Sequence, residues 1–85
     1  MADKLTVREY QPGRHTLVYI PFNPLAEITG KCFHPDRTCK RNVWARLGSE
    51  QVFTLNIDFD SLGDWLFLIY EDGIFTVTLK AKVTP

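Results

Sequence analysis

The sequence has little from which to build a disulfide framework, a membrane anchor or a reactive centre. Only two cysteines, Cys32 and Cys39, occur in 85 residues, too few to staple a small secreted domain, so a reducing compartment of synthesis is the simpler expectation. No apolar signal region follows Met1, and the longest uncharged apolar run, residues 65–70, is far short of the ~20 residues of a membrane helix, so membrane insertion is not expected. Net charge is missing as well. Ten Lys plus Arg against ten Asp plus Glu leave no overall field to steer the molecule onto nucleic acid or an anionic membrane. No stretch of ten or more residues holds a 3.6-residue period, which argues against helices, and no catalytic or cofactor motif of any specificity occurs.

What is present is the composition of a folded chain, 45% hydrophobic and 24% charged. Residues 1–85 are expected as one domain, small enough to bury only about 60–65% of its extended surface, which makes stabilisation by oligomerisation or docking plausible. Residues 5–10 alternate as a first strand, closed by the turn Gln11-Pro12-Gly13. Residues 15–21, rich in β-branched and aromatic side chains, form a second strand that Pro21 and Pro24 terminate. A third, residues 27–33, sets Ile28, Gly30 and Cys32 on one face and Thr29, Lys31 and Phe33 on the other. Residues 43–47 read as a short fourth strand with Trp44 half covered.

The clearest alternation lies in residues 52–59, where Phe53, Leu55, Ile57 and Phe59 point one way and Thr54, Asn56 and Asp58 the other. Residues 65–70 are apolar on both faces, as in a central strand or one whose outer face meets a partner. After the acidic turn Glu71-Asp72-Gly73, residues 74–83 place Phe75, Val77, Leu79, Ala81 and Val83 inward and Thr76, Thr78, Lys80 and Lys82 outward. Seven short strands with turns every eight to twelve residues predict an all-β, antiparallel immunoglobulin-like sandwich, with a five- or six-stranded barrel as the alternative.

Candidate chemistry is sparse. Cys32, His34 and Cys39 lie within eight residues of one another, but their Cys-x-His-x4-Cys spacing is not that of a zinc finger or ribbon and no fourth ligand is near, so no metal site is expected. The two cysteines could be bridged if their Cα atoms approach within ~7 Å, or stay as free, partly buried thiols. Asp58, Asp60, Asp64, Glu71 and Asp72 cluster around two turns, where Asx turns account for them without calcium. A domain this small has little room for a carboxylate pair held across a cleft, and no hydrolase, catalytic or cofactor residue is assigned.

The strongest functional signal is a division of charge. Lys31, Arg37, Lys40, Arg41 and Arg46 face only Asp36 in the middle of the chain, whereas residues 50–72 carry six acidic residues and no basic one. This pattern suits a dipolar surface that docks head to tail on further copies, or a basic loop for nucleic acid. Stacking on nucleic acid would also want exposed aromatics such as Phe33, His34 or Trp44.

The order of Gly13 before an early strand, the proline-punctuated Pro21-Phe22-Asn23-Pro24, a loop-bearing middle, and residues 53–58 followed by Leu62-Gly63-Asp64-Trp65-Leu66 resembles the small immunoglobulin-like domains of tailed-bacteriophage virion proteins, in tail, neck, baseplate or head decoration. The resemblance spans roughly residues 5–83 and is one of pattern. It implies that Gly63 makes a tight corner and Trp65 plugs the sandwich; the sequence departs from the commonest form of such domains in a long central insert, residues 32–42, where a short Asp/Gly hairpin is more usual. It also implies a non-enzymatic structural or adaptor protein, made in the host cytoplasm and carried in the virion in repeated copies, whose partners are other virion proteins and itself. Candidate contacts are Tyr19, Trp44 and Tyr70 on an aromatic sheet face, and Lys31, Arg37, Lys40, Arg41 and Arg46 for charge-directed register. Two alternatives are a carbohydrate or host-surface binding module using Trp44 and Phe22, and a small nucleic-acid-binding barrel.

Overall fold

The computed structural model describes residues 4–85; residues 1–3, which bear the expectation of no signal region, lie outside the described residues. Every regular element described is a strand: β1 (Lys4–Tyr10), β2 (Gly13–Tyr19), β3 (Ile28–Phe33), β4 (Cys39–Val43), β5 (Ala45–Arg46), β6 (Phe53–Phe59), β7 (Gly63–Glu71) and β8 (Ile74–Val83). No helix among the described residues is long and apolar enough to cross a membrane.

The strands form two sheets, one of five in the order β1-β8-β7-β3-β4 and one of three in the order β2-β6-β5. Neither is closed into a barrel. All pairs are antiparallel except β1 with β8, which run parallel, so the expectation of a wholly antiparallel sandwich fails at this edge: β1 is followed by β2 of the other sheet and pairs with the last strand of the chain instead of its neighbour in sequence. The core lies where the period-two pattern aims the inward residues of both sheets: Leu17, Phe53 and Phe59 from the small sheet against Ile28, Cys32, Phe67, Ile69 and Ala81 from the large one. Trp65 is fully buried towards the end of the core that carries the β6–β7 turn, edge-on to Phe59 with ring centroids 5.1 Å apart, and its indole N–H donates to the carbonyl of Ser61 at 3.0 Å. Gly63, just before it, has φ 120°, and a Cβ there would stand 3.2 Å from Pro35.

Eight strands replace the expected seven, because two expectations for the middle of the chain fail together. The insert 32–42 is not a long loop: its second half is β4, paired residue for residue with β3, and only residues 34–38 form the connection. The expected strand over residues 43–47 is split between the sheets, since Val43 ends β4 while Ala45 and Arg46 pair with Thr54 and Phe53 of β6. Trp44 sits at the crossing and drives its indole into the core at 4% exposure, deeper than the half-covered position expected. The consecutive polar residues Lys40, Arg41 and Asn42 hide β4 from any test of apolar alternation, as suits an edge strand whose charges deter unwanted pairing.

A second departure occurs in β8. Ile69 lies opposite Val77 but Tyr70 lies opposite Phe75, so Thr76 is an extra residue and the alternation changes phase there. Phe75, expected inward, is therefore carried to the outer face, with its ring centroid 5.7 Å from that of Tyr70. The hairpin beyond closes through Asp72 and Gly73, both at positive φ (49° and 81°), the two-residue turn whose twist matches its flanking strands.

Candidate functional site

One surface stands apart from the rest: the outer face of the five-stranded sheet. Alternation in β7 sends Trp65, Phe67 and Ile69 into the core and leaves Leu66, Leu68 and Tyr70 half-buried on the outside. The pairing aligns these with their neighbours in rows. Val43, Thr29, Tyr70 and Phe75 form one row; Arg41, Lys31, Leu68 and Thr78 the next; Cys39, Phe33, Leu66 and Lys80 the third. The result is an apolar and aromatic band with cations along it. At the upper end of the band a shallow open depression of about 360 Å³ is lined by Lys31, Arg41, Val43 and Tyr70.

The electrostatics of this face are unbalanced. Lys31 and Arg41 lie directly opposite each other on β3 and β4, an arrangement of like charges that costs stability. The one salt bridge among the described residues is Lys80 to Asp64 at 3.2 Å, at the other end of the band. Lys31 is instead offset only by the Tyr70 ring, 5.9 Å from its ammonium.

The other sequence-nominated contacts go elsewhere. Lys40 pairs with Cys32 and so belongs to the opposite side of the sheet from Lys31 and Arg41. Arg37 lies in the 34–38 turn at φ 71°, beside Asp36, whose carboxylate accepts from the Thr38 N–H at 2.9 Å and is held below its ordinary pKa by that bond. Arg46 is a strut: its guanidinium donates to the carbonyls of Pro24 and Glu50 and stands 4.8 Å over the Phe53 ring. Trp44 and Tyr19 face inward, their rings edge-on at 6.1 Å. The Tyr19 hydroxyl donates to Glu71, and burial together with that carboxylate raises its pKa above the ordinary tyrosine value. Of the eight nominated residues, the fold thus gathers Lys31, Arg41 and Tyr70 and disperses the rest. Leu66, Leu68 and Phe75 join them without having been nominated, together with Phe33, which was nominated only as a stacking aromatic for nucleic acid; the doubly apolar run 65–70 signals Leu66 and Leu68, whereas the Thr76 bulge conceals Phe75.

The ligand-like clusters also come apart. Cys32 and Cys39 are free thiols on opposite faces of the β3–β4 hairpin, one buried and one exposed, so their side chains diverge. Burial pushes the Cys32 thiol up to about 12, with the Cys39 thiol a smaller contributor. His34 packs on Trp65 with ring centroids 4.2 Å apart. The acidic turns fall at opposite ends of the sandwich, Asp58 and Asp60 at one and Glu71 and Asp72 at the other. Both acids of the second turn are engaged: Glu71 accepts from Tyr19 and from the backbone N–H groups of Phe22 and Asn23, and Asp72 from that of Glu27. Neither a protein-family model nor a curated protein matches the chain.

Proposed function

We propose that this chain is a non-enzymatic structural or adaptor module with an immunoglobulin-like sandwich, a virion protein of a tailed bacteriophage that joins its neighbours through the outer face of the five-stranded sheet. The observation that carries the docking role is the pairing of an apolar band, Leu66, Leu68, Tyr70 and Phe75, with two opposed and otherwise unpaired cations, Lys31 and Arg41. A solvated sheet face gains nothing from either feature, whereas a covered one gains from both: apolar area leaves water and the cations acquire carboxylates. The immunoglobulin-like part is supported by the grouping of β2, β6 and β5 against β8, β7, β3 and β4, which corresponds to strands B, E and D against G, F, C and C′ in such sandwiches. The phage assignment rests on the sequence resemblance over residues 5–83.

The test is to purify particles from lysates of the producing cells and quantify the protein by mass spectrometry across a density gradient. It should co-sediment with particles at a constant ratio to their other proteins, and Leu68→Asp should leave the purified protein folded but absent from particles. Recovery of the wild-type chain only from the soluble fraction would overturn the assignment.

A further inference from the structure

We infer that the occupant of this face is the loop-bearing end of a second copy of the chain, so that copies join head to tail. The inference rests on the docking role just given and names its partner. Strand direction assigns the residues at that end: β2 and β7 run towards it and β3, β6 and β8 leave it, so residues 20–27, 47–52 and 72–73 share one tip. Arg46 ties the first two of these segments together through Pro24 and Glu50, and Glu71 and Asp72 tie the first to the third.

The tip has the complementary character. Leu25, at 87% exposure, is the most exposed large apolar side chain among the described residues, and Phe22 at 73% follows only the edge residue Val43 at 76%; Ile20 and Ile74 belong to the same end of the molecule. Around them are the carboxylates of Glu27, Glu50 and Asp72, whereas the one arginine there, Arg46, is spent on backbone carbonyls and the Phe53 ring. The tip is thus apolar with acids, and the face apolar with unpaired bases. The opposite end also carries acids, Asp36, Asp58 and Asp60, but Arg14 lies across from Asp58 and Leu62 is its one large exposed aliphatic side chain.

Because tip and face are different surfaces of one molecule, the contact is heterologous: each copy bound leaves one tip and one face free, and growth continues into a ring or a filament. The contact is small. The body measures 36 × 27 × 19 Å, and the ten-residue β8, at about 3.3 Å per residue, runs along the long axis. A tip of roughly 500 Å² in projection belongs with weak, concentration-dependent contacts that gain strength by repetition.

Sedimentation velocity of the full chain over a concentration series tests this. The wild type should grow beyond dimer with concentration, and raising salt from about 0.05 M to about 0.5 M should reverse it, since exposed charges are then screened. A face variant, Lys31→Glu with Arg41→Glu, and a tip variant, Glu27→Gln with Glu50→Gln, should each keep the wild-type circular dichroism and melt yet associate at least about tenfold more weakly, and the neutral tip offers nothing to the acidic face. Mixed one to one, they should form a dimer and stop, because the face variant retains a good tip and the tip variant a good face. A wild type that stays monomeric, a tip variant that assembles like the wild type, or a mixture that forms no dimer would overturn the inference. Monomers that nonetheless enter particles would remove the head-to-tail contact and leave the adaptor role standing; filaments never found in particles would do the reverse.

Discussion

The Tyr19 hydroxyl at the end of β2 donates a 2.5 Å hydrogen bond to Oε2 of Glu71 at the end of β7, joining the three-stranded sheet to the five-stranded one. The same carboxylate accepts the N–H groups of Phe22 and Asn23, both at 2.9 Å, so one buried side chain holds both sheets and the β2–β3 loop. Glu71→Ala orphans two backbone donors and a hydroxyl together and should lower unfolding free energy by about 2–4 kcal/mol, whereas Tyr19→Phe removes one donor from an acceptor that keeps another and should cost about 1 kcal/mol. Urea unfolding of both variants checks the order. Equal losses would mean that the carboxylate acts only through the tyrosine.

Alkaline pH should unfold the protein through two groups whose pKa values are raised on folding. Cys32 is pushed up to about 12 and Tyr19 above its ordinary value, both chiefly by burial. In the unfolded chain they ionise near about 8.5 and 10, so their contribution is complete below about pH 8.5; above it the unfolded state sheds protons that the folded state keeps, and stability falls. Urea midpoints should decline from about pH 9 upward, and the double variant Cys32→Val with Tyr19→Phe should flatten the decline. An unchanged slope in that variant would assign the alkaline loss to other groups.

The two thiols should react at very different rates. Cys39 is exposed on the edge strand β4, while Cys32 is wholly buried and held in its thiol form, and only an accessible thiolate attacks a disulfide reagent. An aromatic disulfide reagent at neutral pH should therefore release one equivalent rapidly and the second only at the rate of unfolding. Cys39→Ser should abolish the rapid phase and leave the slow one.

The inward strands were legible because each is governed by a period of two, which residues 53–59 carry without interruption, while the doubly apolar run 65–70 was legible as a strand covered on both sides. The pattern fails where a residue's role depends on pairing rather than on neighbours in sequence. The edge strand β4 reads as a charged loop since Lys40, Arg41 and Asn42 never alternate with apolar residues, and its existence depends on β3 across the hairpin. Trp44 looks like an amphipathic surface residue until the chain is seen to change sheets at that point. Phe75 obeys local alternation and is misplaced by it, since a single extra residue, Thr76, inverts the face of what precedes it. The docking face was half visible: the doubly apolar run 65–70 announces a covered outer side, but alignment of Lys31 with Arg41 is a consequence of register.

Gly30 should be intolerant of any side chain. It lies opposite Ile69 and Asn42 in the centre of the large sheet, where an added Cβ would meet the Leu68 carbonyl oxygen at 2.7 Å and the Trp44 indole nitrogen at 3.2 Å. The first contact is with backbone held in the ladder, so the strand must shift or the Trp44 ring must leave the core. Gly30→Ala should cost about 2–3 kcal/mol, well outside the range of an ordinary surface change, with altered tryptophan fluorescence reporting the ring's displacement. A variant as stable as the wild type would show that β3 and β7 can separate freely at this point.

Arg41→Glu should separate stability from docking. Arg41 stands opposite Lys31 with no acidic neighbour bonded to either among the described residues, so the substitution turns a repulsive cross-strand pair into an attractive one. Exposed pairs of this kind are worth about 0.2–1 kcal/mol, and the variant should melt slightly higher than the wild type at low salt, with the gain fading as salt rises. The same change removes one of the two cations that the face offers to carboxylates, so association should weaken while the fold strengthens. A locally unfavourable pair that improves on mutation at the expense of binding is the signature of residues kept for a partner. If Arg41→Glu instead lowers the melting temperature, the Lys31–Arg41 pair is relieved within the monomer, and the charge argument for docking loses its basis.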